Sequence, residues 1–346
     1  MTSAPFYSTN GPRNARIAIV GEAWGDQEEM TKLPFMGSSG QELTRMLAEA
    51  GISRSECFLT SVFNFKPPQG DIEKICVNKK EAGLGYPMPP YGMGKYIKPE
   101  LLGEVARLQQ ELQIVKPNLT LALGNTACWA LLNSSGIGSL RGTVAYSTLV
   151  DDLKVLPTYN PAAVMRNWAL RVIVITDLMK AERERHFPEI RRPEREILIS
   201  PSFEEMLEWW QENSSALYLG VDIETRLGQI TCIGFASSPT KAMVIPFVDY
   251  SGKSYWPTPD LELDAWNFVE TLLSSPIPKV FQNGLYDLQY ILRMGLKIQN
   301  CTEDTMLLHH ALYPELQKGL GFLGSIYTNE SSWKNTYRKT TLKKDE

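Results

Sequence analysis

Apolar runs alternate with helical periodicity through the first half of this chain. Residues 16–21 form a short apolar run closed by a glycine, which predicts a buried strand leading into a loop. Over residues 40–50, Leu43, Met46, Leu47 and Ala50 recur with the period of an amphipathic helix. Residues 57–63 read as a second strand. A helix is predicted over 99–115, where Leu101, Val105, Leu108, Leu112 and Val115 share one face. The apolar run 118–124 predicts a strand, with Asn125 as the cap of a helix over 126–132. A further apolar segment at 155–157 runs into a loop at Tyr159, Asn160 and Pro161. Between 66 and 98 lies a long insert rich in Pro, Gly and Lys, of the kind that is often functional or mobile. The alternation implies an α/β domain with a mainly parallel sheet.

The pattern changes after residue 187. A stretch rich in proline and charge suits a boundary. A helix over 203–213 is followed by strands at 216–223, 229–237 and 242–248, which read as a meander. A helix over 261–273 and a strand over 278–282 come next. The expected organisation is a first domain over 1–186, a linker over 187–201 and a second α/β domain over 202–346, without internal repeats.

Composition narrows the class. The chain has 346 residues, of which 43% are hydrophobic, and a formal net charge of -4. That length suits two domains. No apolar run is long enough to span a bilayer, so no membrane partner is expected. The five cysteines, Cys57, Cys76, Cys128, Cys232 and Cys301, are scattered and form no C-x-x-C pair. They read as reduced thiols of a cytoplasmic protein. Neither half has the strong basic excess of a protein that coats DNA non-specifically.

The sharpest chemical signal is Asp222-Ile223-Glu224 at the end of a strand-like run. Residues two apart on a strand face the same side, and paired carboxylates suit a hard divalent cation. A surface acid pair on a strand edge would carry the same letters. Further on, Lys279-Val280-Phe281 ends in Gln282-Asn283, and a helix-like segment carries Asp287. This D-x-E … N-x-x-x-D spacing resembles the first two motifs of DnaQ-like 3′→5′ exonucleases. The likeness to the proofreading domain of family A DNA polymerases extends through Cys301-Thr302-Glu303-Asp304-Thr305-Met306-Leu307. It implies an RNase H-like fold in which Asp222, Glu224 and Asp287 are catalytic and hold Mg²⁺ or Mn²⁺. Asn283 fits the second motif's polar position, and Asp304 matches an acid that is not a ligand. The family's last motif, a Tyr followed four residues later by an Asp, does not occur before Glu346. That ending reads as a split gene, an interrupted reading frame or a truncated chain, and the tail 333–346 reads as a solvated end.

The first half carries a second ordered set. Gly21-Glu22-Ala23-Trp24-Gly25-Asp26 resembles the G-E-x-P-G loop of family 4 uracil-DNA glycosylases. In order follow Leu33-Pro34-Phe35-Met36-Gly37-Ser38-Ser39-Gly40, Thr60 to Pro68, Leu119 to Ala127, Leu140-Arg141-Gly142 and Leu156 to Ala163. The resemblance implies a parallel-sheet α/β/α domain that handles an extruded base. It assigns Phe35 as the aromatic that stacks on uracil and Ser61 to the base-reading position, with Asn64 close by. It assigns Glu22, and as a second candidate Asp26, to orienting water or stabilising the oxocarbenium. Asn160 stands where the family has its His, as in a mismatch-specific branch that uses N-P. Of the family's four cluster cysteines only Cys76 remains, so no iron–sulfur cluster is expected.

Glycosylase-like and exonuclease-like modules in this order resemble the N-terminal part of certain bacteriophage DNA polymerases. The expectation is a DNA replication or repair protein, with DNA as ligand and a polymerase chain as partner that supplies the rest of the exonuclease domain. A stand-alone glycosylase and a catalytically silent DNA-binding or docking protein are the alternatives.

Overall fold

The computed structural model describes residues 4–330. The chain forms two compact units. One runs to Arg191 and takes in the chain again from Gly321; the other is Arg192–Leu320.

In the first unit the strands are β1 (Ile17–Ala23), β2 (Cys57–Phe63), β3 (Cys76–Val77), β4 (Tyr96–Ile97), β5 (Leu119–Leu123), β6 (Ala145–Tyr146) and β7 (Lys154–Thr158). The main sheet has the order β2-β1-β5-β7-β6 and is parallel except for β6. Successive residues of β1 enter opposite cores. Ala18 and Val20 pack with Phe58, Val105 and Leu108, whereas Ile17 and Ile19 pack with Leu43, Met46 and Leu178. Helices therefore cover both faces, which is why these strands read as unbroken apolar runs. The 66–98 insert holds short 3₁₀ turns, the helix Lys79–Ala82 and an antiparallel β3–β4 ribbon.

The C-terminal end of β2 is fastened by a buried ionic cluster on the helix Leu102–Val115. Arg107 donates to Glu104 at 3.1 Å, to Glu111 at 2.7 Å and to the Ser61 carbonyl at 2.6 Å. Glu111 also accepts from Thr60 at 2.8 Å, and Glu104 accepts from the Asn64 amide at 3.0 Å.

The chain that returns to this unit is held in the same manner. Arg141 donates to Ser325 Oγ at 2.7 Å and to Asp177 at 3.0 Å. The Lys180 ammonium reaches the carbonyls of Gly142, Ser325 and Thr328 at 2.6, 2.7 and 2.7 Å. The second domain expected over 202–346 thus differs from the second compact unit, because these buried cations draw residues 321–330 into the first one.

The second unit contains β8 (Glu196–Ile199), β9 (Leu219–Arg226), β10 (Gln229–Ala236), β11 (Lys241–Pro246), β12 (Lys279–Phe281) and β13 (Cys301–Asp304), in the sheet order β13-β12-β9-β10-β11-β8. β9, β10 and β11 form the expected antiparallel meander, and β12 adds to β9 in parallel. The helices Phe203–Asn213 and Pro259–Ser274 pack on the buried side, where Leu219, Val221 and Ile223 alternate with exposed positions.

Three local expectations change. The expected linker contains β8, which pairs in parallel with β11 and so satisfies an otherwise open sheet edge. Asn125 does not cap the following helix. Gly124 holds the cap position, and Asn125 Oδ1 accepts instead from the amides of Gly136 at 3.1 Å and Ile137 at 2.8 Å. The solvated tail expected over 333–346 lies outside the described residues. Among those described, no helix is long and apolar enough to cross a membrane.

The ionic cluster yields a stability test. Arg107→Met removes a cation that touches both buried carboxylates, Glu104 and Glu111. It is expected to destabilise the full chain by about 3–5 kcal/mol in urea unfolding, the usual cost of stranding a buried charge. A loss below about 1 kcal/mol would mean the cluster is not holding the end of β2.

Candidate functional site

In the first unit the candidate residues come from the C-terminal ends of parallel strands, where an open α/β sheet leaves room for a ligand. Glu22, near the end of β1, lines a cleft of about 510 Å³ together with Asp71, Glu73, Tyr91, Lys95 and Asn125. Its Oε2 accepts from Thr126 Oγ1 at 2.5 Å. Thr126 is in turn 2.8 Å from the Tyr91 hydroxyl. Burial, with Glu22 as a nearby anion, pushes the Tyr91 phenol up to about 12.

Phe35 is held in a strained loop. Its φ is 57°, a conformation that side chains rarely adopt. The buried Glu28 carboxylate ties the loop down by accepting from the amides of Gly25 at 3.0 Å, Met36 at 2.7 Å and Gly37 at 2.8 Å. Arg54 donates to the carbonyls of Phe35 at 2.9 Å and Gly40 at 3.0 Å. The Phe35 ring lies over Gly21, so close that a Cβ there would sit 2.7 Å from Cζ. Ser61 is buried opposite Gly21 across the β1–β2 pair, and its Oγ is 3.5 Å from the same position. Gly40 is equally constrained, because a Cβ there would meet the Phe35 carbonyl at 2.0 Å.

Asn160 follows β7 and caps the helix Pro161–Arg166, its Oδ1 accepting from the Ala162 amide at 2.9 Å. It lies against Gly124, where a Cβ would be 3.2 Å from its own. The structure therefore brings Phe35 and Ser61 together at Gly21, next to Glu22, and places Asn160 at the neighbouring end of β5. Only Glu22 of these four lines the 510 Å³ cleft.

Two candidates stand apart. Asp26 begins the helix Asp26–Thr31 as an exposed partner of Lys66, outside the residues lining the cleft. Asn64 is buried, with its Nδ2 donating to the Tyr7 carbonyl at 2.7 Å, so its amide donor faces the N-terminal segment. Sequence reasoning missed Glu28, Arg54, Tyr91 and Thr126. Glu28 had a local signal, an acid three residues after the Gly25 that precedes a helix.

In the second unit Asp222 and Glu224 project from the exposed face of β9, while Ile223 between them is buried. Asp287, in the first turn of the helix Leu285–Arg293, is only 3% exposed. Its Oδ1 accepts from the Ile223 amide at 3.0 Å. β12 pairs with β9 only as far as Gly220, and Asp287 takes the amide left beyond it. Burial, then the charges of Asp222 and Asp304, raise the Asp287 carboxyl to about 6 despite that hydrogen bond. Asp304 caps the helix Thr305–Leu312 and also accepts from the amides of Asn283 at 3.2 Å and Gly284 at 2.8 Å. Burial pushes its carboxyl up, but these backbone donors outweigh it and leave it below the usual range.

Residues 8–191 match the family model for the uracil DNA glycosylase superfamily, more than half of the chain. The chain belongs to this superfamily. The type-4 uracil-DNA glycosylase of Thermotoga maritima is 27% identical over 174 residues, covering 50% of this chain and 79% of that protein. The type-4 enzyme of Archaeoglobus fulgidus is 29% identical over 185 residues, covering 52% of this chain and 81% of that protein. Residues 199–345 match the family model for a 3′-5′ exonuclease. Among solved structures, the POL domain of Pol1 from M. smegmatis, in complex with DNA primer-template and dNTP, aligns at 19% identity and a TM-score of 0.31. That alignment covers 38% of this chain and only 23% of the solved one.

Membership of the glycosylase superfamily raises the question of an iron–sulfur cluster, and the donor set does not fit one. Cys76 Sγ donates to the Ile72 carbonyl at 3.4 Å, and Cys57 and Cys128 are buried elsewhere. Among the described residues no three His, Cys, Asp or Glu side chains are gathered where they could hold a metal ion. Asp222 nonetheless lies close enough for its charge to raise the Asp287 carboxyl. Asp287 is turned inward onto the Ile223 amide, while the other two face outward.

The buried acid gives a pH-dependent test. An unfolded Asp titrates near 4, so between about 4 and 6 the folded chain keeps a proton on Asp287 that the unfolded chain has lost. Stability falls across that window and stays lower above it. Asp287→Asn keeps an acceptor for Ile223 and removes the buried charge. In EDTA at pH 8 it is expected to stabilise the second unit by roughly 1–2 kcal/mol after allowing for solvent screening, with the gain vanishing below about pH 4. Thermal melts across pH check this, and a gain independent of pH would show that Asp287 is not the group responsible.

Proposed function

We propose that this chain is a DNA replication and repair protein of the cytoplasm whose first unit takes an extruded uracil from DNA and cleaves its glycosidic bond. The observation that carries this reading is the fixed placement of the Phe35 ring over Gly21, beside Glu22. An aromatic face held rigidly at a strand end suits stacking of a flipped base. Glu22 is then placed to orient water towards C1′ or to stabilise the positive charge that develops on the sugar. The C1′–N1 bond breaks, its electron pair leaves with uracil, and water completes an abasic site. Asn160 would donate a neutral hydrogen bond to the departing anion. That stabilises it less than a positioned imidazole, so turnover is slow.

The test is single-turnover release of uracil from a uracil-containing duplex by the full chain. Slow release is expected, reduced by about 100-fold or more in Glu22→Gln. Phe35→Ala is expected to weaken binding of the same DNA. Absence of release by the wild-type chain, with tight DNA binding retained, would favour a silent DNA-binding or docking role.

The second unit is read as a proofreading-type exonuclease module that works together with a polymerase chain. Two-metal hydrolysis needs carboxylates that clamp both the attacking and the leaving oxygen. With Asp287 engaged on Ile223, Mg²⁺ or Mn²⁺ would be held weakly by Asp222 and Glu224. Release of 3′ nucleotides from single-stranded DNA in Mg²⁺ or Mn²⁺ is expected to be little different between wild type and Asp222→Ala. Robust digestion abolished by that substitution would overturn the weak metal holding. Activity raised by an added polymerase chain would support that partnership.

A further inference from the structure

The 66–98 insert contributes Tyr91 to the Glu22 cleft. Tyr91 starts a tight turn in which its amide donates to the Lys95 carbonyl and the Lys95 amide donates to the Gly92 carbonyl, both at 2.8 Å. Its ring meets Trp129 edge-on with centroids 5.9 Å apart. Trp129 Nε1 donates to the Pro89 carbonyl at 2.9 Å, so the insert is fastened to the helix Asn125–Leu132 just before Tyr91 and at its ring. The phenol then reaches Thr126, and Thr126 reaches Glu22.

The polarity of this chain of hydroxyls follows from chemistry. An ionised carboxylate only accepts, and a threonine hydroxyl has one proton to give. Thr126 therefore donates to Glu22 Oε2, and Tyr91 donates to Thr126. Burial keeps the phenol protonated over the working range, so it stays a donor.

The geometry points to Tyr91 and Thr126 as a positioning pair that locks the Glu22 carboxylate for glycosidic-bond cleavage. This rests on the excision reading above. Glutamate has a flexible stem, and a carboxylate that must meet one water or one developing charge gains from being held in a single orientation. With Oε2 fixed by Thr126, Oε1 is the oxygen left to serve the cleft. Neither Tyr91 nor Thr126 touches the reacting atoms in this scheme; both act through Glu22.

The experiment uses the full chain with a uracil-containing duplex for single-turnover release and a tetrahydrofuran abasic-site duplex for affinity. Tyr91→Phe keeps the ring against Trp129 and removes only the hydroxyl. Tyr91→Phe and Thr126→Val are expected to slow release by about tenfold or more, with affinity for the abasic duplex within about twofold of wild type. Thr126→Ser is expected to restore the rate. In a double-mutant cycle, Tyr91→Phe is expected to add nothing to Glu22→Gln, since its effect passes through that carboxylate. Equal release by wild type and Tyr91→Phe would overturn the proposal, as would a further loss when Tyr91→Phe is added to Glu22→Gln. A wild-type chain that releases no uracil overturns the excision reading itself, and the positioning role falls with it.

Discussion

Burial of a parallel sheet on both faces is the constraint from which the chemistry of the first unit follows. β1 sends Ala18 and Val20 into one core and Ile17 and Ile19 into the other, so its flanks carry no free polar surface. Polar chemistry is confined to the strand ends, where the backbone leaves the sheet. Those ends must then be held in place by something other than apolar packing. Arg107 does this for β2, binding two carboxylates and two strand carbonyls at once. Glu28 does it for the loop carrying Phe35, where three amide donors converge on one buried carboxylate. A buried charge is costly unless it is fully partnered, and that same demand makes these residues rigid organisers.

The insert over 66–98 is fastened to the first unit by side chains rather than by bound metal ligands on cysteine. An insert that keeps a single cysteine, Cys76, cannot be stapled by a four-thiolate cluster. It is instead pinned by Trp129 on Pro89 and by Tyr91 on Thr126. The second unit has an opposite economy of charge. Asp287 is buried beside Asp222 and Asp304 with a single backbone donor from another element, and its carboxyl is pushed up accordingly. Asp304, surrounded by four backbone amides, goes the other way. Two acids of one unit thus differ in protonation behaviour because of the donors each one finds.

Much of this was legible in the sequence because it depends on local periodicity. The apolar runs at β1, β2 and β5, the meander β9–β11 and the shared face of Asp222 and Glu224 follow from strand alternation, which neighbouring residues fix between them. The ordered glycosylase motifs singled out Glu22 and Ser61 towards the ends of β1 and β2, Asn160 just after β7 and Phe35 in the loop before the helix Ser38–Glu49. Gly21 and Gly40 could be seen as glycines, but not that the Phe35 ring and carbonyl occupy the space a Cβ would need.

What only the tertiary structure decided are the contacts between residues far apart in the chain. Asn64 gives its amide to Tyr7, Asp26 lies in an exposed pair with Lys66, and Asp287 spends its carboxylate on Ile223. Thr126 joins Tyr91 to Glu22. Arg141 and Lys180 gather Ser325 and Thr328 into a unit that the linear order of motifs would have closed near residue 186. Periodicity says which side of an element a residue occupies. Which partner it meets there depends on how the elements pack, and a polar side chain settles on the unsatisfied donor or acceptor that packing leaves within reach.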